Sequence, residues 1–185
     1  MPDKVFFQCS LPRVGSTIFQ NIINQDSRFY ASANNGLLGL VAAASDNYKN
    51  SPEFKAQEAD LMKNAFSGFC KGSIHGFYNG ITNKQYALDK SRGNFANYDL
   101  VNGFYPGAKI ICFVRNIPDI FASLEKLYRS NQHKSNVITD HSVMRGTTTP
   151  KRVDIWVRSY TPMMGYLGKS IFDGTDKKML FIKYE

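Results

Sequence analysis

The run Ser10-Leu11-Pro12-Arg13-Val14-Gly15-Ser16-Thr17 gathers the residue types that hold an anion. Gly15 lets the chain turn tightly, Ser16 and Thr17 bring hydroxyl donors, and Arg13 brings a fork of charged donors. A second such place is Arg115, which follows an apolar run, with Ser123 eight residues further on. A ligand reaching both must lie along the start of a helix, because eight residues is a little over two helical turns. Lys90, with Arg92 nearby in Lys90-Ser91-Arg92-Gly93, is a third cationic position. Taken singly, each has a plainer reading: a capped turn between strand and helix, a surface arginine, a pair of solvated loop charges.

The elements around these residues put each at the end of a strand and leave both readings open. Val5 to Cys9 is a short apolar run that predicts a buried strand, and Ile18, Phe19, Ile22 and Ile23 predict a helix over Gly15–Gln25. The Ser10–Thr17 run therefore joins a strand to a helix N-terminus, where free backbone N–H groups surround an anion. Lys109 to Val114 is the clearest buried strand, and Asn116 and Pro118 open the helix that carries Ile120, Phe121, Leu124 and Leu127. Asp119 is explained as a first-turn residue favoured by the helix dipole. Gln85 to Asp89 predicts a short strand ending at Lys90. Ser51-Pro52-Glu53 opens another helix, with Phe54, Leu61, Met62, Ala65, Phe66 and Phe69 as its apolar stripe. Ser130 to Thr149 is polar and without periodicity, which predicts a surface loop. A helix from Thr149-Pro150, kinked at Pro162, carries Val153, Trp156, Val157 and Tyr160, and Met179 to Tyr184 is a final strand. Strands alternating with helices predict a three-layer α/β fold whose mostly parallel sheet is flanked by helices, with ligands at the carboxyl ends of the strands.

Composition limits the partners. The 185 residues include 14 Phe and 10 Tyr and are 43% hydrophobic, enough to bury a core in a single domain over 1–185, which excludes a disordered or fibrous chain. A net charge of +8 calls for an anionic partner. The basic residues are dispersed and the aromatics sit at core spacing, so a nucleic-acid-binding domain is the weaker reading. Cys9, Cys70 and Cys112 form no CxxC pair, and the chain has no clustered Cys/His ligands, so no metal is expected. With no long apolar stretch and no leader-like N-terminus, a soluble, cytoplasmic protein without an integral membrane segment is expected.

The Ser10–Thr17 loop departs from the Walker A pattern, which needs Gly, four residues, then Gly-Lys-Ser/Thr. Ser10 holds the first position, Gly15 the second, and Ser16 replaces the lysine, which leaves a nucleotide kinase as an alternative reading. Leu11–Thr17 instead resembles the 5′-phosphosulfate loop of the sulfotransferases, usually a Pro-Arg-Ser-Gly-Ser/Thr-Thr run, with Val14 where Ser is common. Ile111-Cys112-Phe113-Val114-Arg115-Asn116-Ile117-Pro118-Asp119 followed by Ser123 is similar to the 3′-phosphate motif of the same family. The resemblance extends through Asp89–Gly93, Lys151–Trp156 and Phe181–Glu185.

It implies a P-loop NTPase-like topology and transfer of a sulfuryl group from 3′-phosphoadenylyl sulfate (PAPS) to a hydroxyl acceptor, with adenosine 3′,5′-bisphosphate as product. The acceptor would be a carbohydrate, a phenol or a peptide tyrosine. Pro12, Arg13, Gly15, Ser16, Thr17, Arg115 and Ser123 would bind the donor, and Lys90 would stabilise the leaving group beside Arg13. The family's catalytic Glu falls here around Ala33-Asn34-Asn35, which holds no carboxylate. His75 is the first substitute as general base, and His133 and His141 are others; a degenerate enzyme that still binds nucleotide is the alternative. The resemblance also implies further helices after Phe181–Glu185, so the chain is expected to be a minimal version or a fragment.

Overall fold

A computed structural model of the chain describes residues 4–91, 97–131, 144, 146–172 and 179–184. Five parallel strands form one sheet: β1 (Lys4–Ser10), β2 (Phe29–Asn34), β3 (Tyr86–Lys90), β4 (Ile110–Val114) and β5 (Met179–Lys183), in the order β2-β3-β1-β4-β5. The sheet expected to be mostly parallel is thus wholly parallel among the described residues. Its helices are α1 (Ser16–Ile23), α2 (Leu37–Asn50), α3 (Pro52–Lys55), α4 (Ala59–Asn79), α5 (Tyr98–Phe104), α6 (Ile117–Ser130) and α7 (Thr149–Phe172).

Alternating side chains along the strands divide the molecule into layers. Lys90 of β3 and Phe113 of β4 meet Gln20 and Phe19 of α1 on one face of the sheet. Asp89 of β3 and Tyr30 of β2 meet Tyr78 of α4 on the other, and Phe7 of β1 meets Tyr105 just after α5. The core contains Phe7, Leu38, Ile74, Tyr78, Ile110, Ile120, Leu124 and Trp156, all 1% exposed or less. Cys9 and Cys112 pair across the sheet in register and are fully buried, and Cys70 is equally buried. Burial, and the neighbouring Cys112, push the Cys9 thiol well up, so it behaves as an apolar residue.

Three departures from the sequence pattern matter. First, α1 buries Ser16 and Gln20 and leaves Ile18 and Ile22 more than half exposed, the reverse of the face its isoleucines predict. Second, the helix expected to run on from Pro52 stops after Lys55. Glu58 then opens α4 by accepting from the backbone N–H groups of Asp60 and Leu61. Leu61 and Phe69 of the predicted stripe are exposed, and Cys70, Ile74 and Tyr78 supply the buried face instead. Third, β2 and α2 lie where the pattern suggests no element. The helix from Thr149 runs on through Pro162. Most of the loop predicted over 130–149 lies outside the described residues, as do Arg92, Gly93, His133, His141 and Glu185.

Candidate functional site

The loop after β1 is built around two residues with positive φ. Arg13 sits at φ 62 and Gly15 at φ 76, a conformation that costs a non-glycine residue on the order of 1 kcal/mol or more. Gly15 has a second constraint, because a Cβ there would overlap the ring of Tyr184 just beyond β5. Gly15 is also the N-cap of α1, and no side chain caps that helix. Its first N–H groups are therefore free to meet an anion, as helix N-termini do. Val14, the residue that departs from the usual loop sequence, is fully buried, so it packs into the core.

Two cavities flank the loop. One, of about 410 Å³, is lined by Arg13, Val14, Gly15, Ser16, Thr17, Ile18, Arg115, Ser123 and Tyr184. The other, of about 360 Å³, is lined by Ser10, Leu11, Pro12, Arg13, Ser16, Thr17, Gln20, Ala33, Asn34, Lys90 and Leu127. Arg13, Ser16 and Thr17 belong to both. The structure thus brings the donor-binding residues expected from the sequence to one place, at the carboxyl ends of β1, β3 and β4.

In the first cavity the cations are held by their own neighbours. Arg115 Nη1 donates to the Arg13 carbonyl at 2.9 Å, and its guanidinium lies 5.2 Å from the centre of the Tyr184 ring. Arg115 Nε is buried without a hydrogen-bond partner among the described residues. Arg13 Nε donates to Ser123 Oγ at 2.9 Å, so β1's loop and α6 meet through one residue expected at the 5′-phosphosulfate and one expected at the 3′-phosphate. Both guanidiniums keep further N–H donors, since an arginine has five.

In the second cavity Lys90 is 8% exposed, with Nζ 3.2 Å from Gln20 Oε1 and 3.4 Å from Thr17 Oγ1. The loop lacks the Walker lysine, but β3 delivers an ammonium to its helix from the neighbouring strand. Beside Lys90, β2 loses register between Ala31 and Asn34, a bulge of the kind found next to active sites. Ser32 Oγ accepts the Lys90 backbone N–H at 3.1 Å, and the Asn35 N–H donates to the Lys90 carbonyl at 3.1 Å.

On the far face of the sheet the fully buried Asp89 accepts from Tyr78 Oη at 2.5 Å and from Asn35 Nδ2 at 3.1 Å. Burial, then the Asp89 charge, push the Tyr78 phenol well above its usual value, so it remains the donor. These bonds fix the turn that presents Ala33 and Asn34 to the cavity. This is the stretch where the sulfotransferase Glu was looked for, and among the described residues no carboxylate or imidazole lines either cavity.

His75 is not brought to this site. It lies on α4 beside Tyr105, in a cavity whose walls include Lys4 and Lys109, at the amino ends of β1 and β4. At ~3.3 Å per residue, the seven residues of β1 put roughly 20 Å between that end and the loop. Its place before Lys90 in the sequence misleads because α4 packs on the face of the sheet opposite Lys90, where its Tyr78 meets Asp89.

Two residues of the site escaped the sequence reading. Gln20 lies one turn beyond Ser16, so its spacing from the loop was the available signal. Tyr184 enters the sequence reading as the end of a strand and within the Phe181–Glu185 resemblance, with no role of its own. No helix among the described residues is long and apolar enough to cross a membrane, and no three metal-ligating side chains cluster among them.

The fold has a counterpart among solved structures. The sulfotransferase domain from the curacin biosynthetic pathway matches at a TM-score of 0.50 and 17% identity, covering 100% of this chain and 68% of that one. A shikimate kinase from Bacteroides thetaiotaomicron overlaps at a TM-score of 0.44 and 11% identity, covering 88% of this chain and 80% of that one. Comparison with curated proteins returns no match. A profile of the sulfotransferase family matches residues 6–185, and the chain belongs to that family.

Proposed function

We propose that this sulfotransferase takes its sulfuryl group from PAPS and passes it to a hydroxyl acceptor. The observation that carries the reading is the pair of cavities meeting at one loop. A donor phosphorylated at the 3′ position and activated at the 5′ position needs two anion sites of this kind. Arg115 and Ser123 would take the 3′-phosphate. The N–H groups and hydroxyls of Ser16 and Thr17, with Gly15 allowing close approach, would take the 5′-phosphosulfate. Pro12 and Arg13 lie where the two sites join.

Sulfuryl transfer resembles phosphoryl transfer, so catalysis rests on positioning and on charge stabilisation. In the in-line step the acceptor oxygen forms a bond to sulfur as the bond from sulfur to the 5′-phosphate oxygen breaks. Lys90 Nζ, 3.4 Å from Thr17 Oγ1, would be the cation that meets charge growing on that leaving oxygen. The acceptor would enter past Ala33 and Asn34. Its proton finds no carboxylate or imidazole among the described residues of the cavity; His133 and His141 lie outside them. The three cysteines remain free and buried, which supports a reducing, cytoplasmic setting.

The test is transfer of labelled sulfate from PAPS to a panel of phenols, sugars and tyrosine peptides. Labelled product with any of them, lost in Lys90→Ala, is the expected result. Binding of the bisphosphate without transfer would mark a nucleotide binder, and Mg²⁺-dependent ATP turnover would mark a kinase; either would overturn the reading.

A further inference from the structure

Gln20 is placed against every expectation for its residue type. It is 4% exposed on a helix whose Ile18 and Ile22 are 54% and 57% exposed. Glutamine is mostly a surface residue, and burying its amide is costly unless both ends are bonded. Here both are. Gln20 Nε2 donates to the Ser32 carbonyl at 2.6 Å, and Oε1 accepts from Lys90 Nζ at 3.2 Å. A carbonyl only accepts and an ammonium only donates, so one orientation of the amide satisfies both partners. Helix α1 therefore sets this amide beside Phe19, which packs on Phe113, on the side that meets the sheet, while Ile18 and Ile22 are exposed.

We propose that Gln20 is the positioning residue for Lys90. It fixes the ammonium at the mouth of the phosphate loop, beside Thr17 Oγ1, and anchors it to the backbone of the β2 bulge. The lysine stem has four rotatable carbons, and a free ammonium would spread over many rotamers. With Gln20 bonded at one end to Ser32 and at the other to Lys90, the charge would meet that of the leaving oxygen with no rearrangement at the moment of transfer. The role rests on Lys90 being the leaving-group contact, and it accounts for an apolar helix carrying one buried amide at this position.

Gln20→Leu keeps the size and removes both bonds, whereas Gln20→Glu keeps an acceptor for Lys90 and adds a negative charge. The first measurement needs no turnover: acetylation of Lys90 in the ligand-free protein, followed by mass spectrometry at fixed pH. The bridge predicts opposite changes, faster labelling in Gln20→Leu and slower labelling in Gln20→Glu. A residue that merely packs would shift both in the same direction or neither, and that result overturns the proposal.

The second measurement is a double-mutant cycle on sulfate transfer. Gln20→Leu should lower kcat by about 10–100-fold, the worth of a hydrogen bond to a charged group, with little change in bisphosphate affinity. In a Lys90→Ala background the same substitution should cost nothing more. Losses that multiply would show that Gln20 does not act through Lys90. If the wild-type protein transfers no sulfate, the proposed function fails, and the labelling result alone decides the role of Gln20.

Discussion

Arg13 and Gly15 show how little freedom the loop after β1 has. Both hold positive φ, and Gly15 also has the Tyr184 ring against the place where a side chain would begin. Gly15→Ala should therefore destabilise the protein by about 2 kcal/mol in urea unfolding, combining backbone strain with displacement of the ring. It should also weaken bisphosphate binding, because Tyr184 lies over Arg115. His75→Ala should leave sulfate transfer at the wild-type rate, since that residue lies by Lys4 and Lys109 at the opposite end of the sheet. A large loss of transfer there, with folding intact, would contradict the placement of the site. The loop, Arg115 and Ser123 were expected together because their runs resemble two motifs of one family, and the fold does bring them to one cavity. Gln20 was not legible, since four apolar residues at helical spacing outvote one polar residue until the helix is seen docked on Lys90.

At the scale of elements, β1 and β4 were read nearly as they stand, each being a compact apolar run, and β3 was read one residue early. Strand β2 escaped because Phe29–Asn34 is broken by Ser32 and ends in a bulge, and α2 because its glycine and small residues give it a weak apolar stripe. Helix α6, which carries Ser123, is tied to α7 by a buried ion pair. Arg152 Nη2 lies 2.6 Å from Glu125 Oε1, with both side chains at 12% exposure or less, and the guanidinium stacks 4.4 Å from the Tyr128 ring centre. Arg152→Ala should cost about 3 kcal/mol of stability, the low end for a broken buried pair because Arg129 still faces Glu125 at 2.8 Å. The hydrogen bond from Arg152 is the chief reason the Glu125 carboxyl falls to about 2, from a normal 4.5. A carboxylate depressed in the folded state stabilises fully above its unfolded pKa and loses that contribution as pH falls through the folded value. Urea midpoints should therefore drop between about pH 4.5 and pH 2 in the wild type, and the part of that drop due to Glu125 should be absent in Glu125→Gln.

For the whole molecule, the net charge of +8 implied an anionic partner without saying which. The fold converts part of that excess into a site, with Arg13, Lys90 and Arg115 drawn from β1's loop, β3 and β4 to one end of the sheet. A ligand that holds these elements together binds the folded state alone and so raises its stability, by about 2.7 kcal/mol at a hundred times its dissociation constant. Adenosine 3′,5′-bisphosphate should produce that shift in thermal unfolding, and adenosine 5′-monophosphate, which leaves Arg115 and Ser123 without a phosphate, should produce much less. The central claim is that two anion sites on one loop hold a doubly phosphorylated donor, and titration calorimetry with the bisphosphate tests it most directly. The account predicts binding at one site per chain, weakened about 10–100-fold by Arg115→Ala through loss of its charged hydrogen bonds. No binding, or equal binding by wild type and Arg115→Ala, would contradict it.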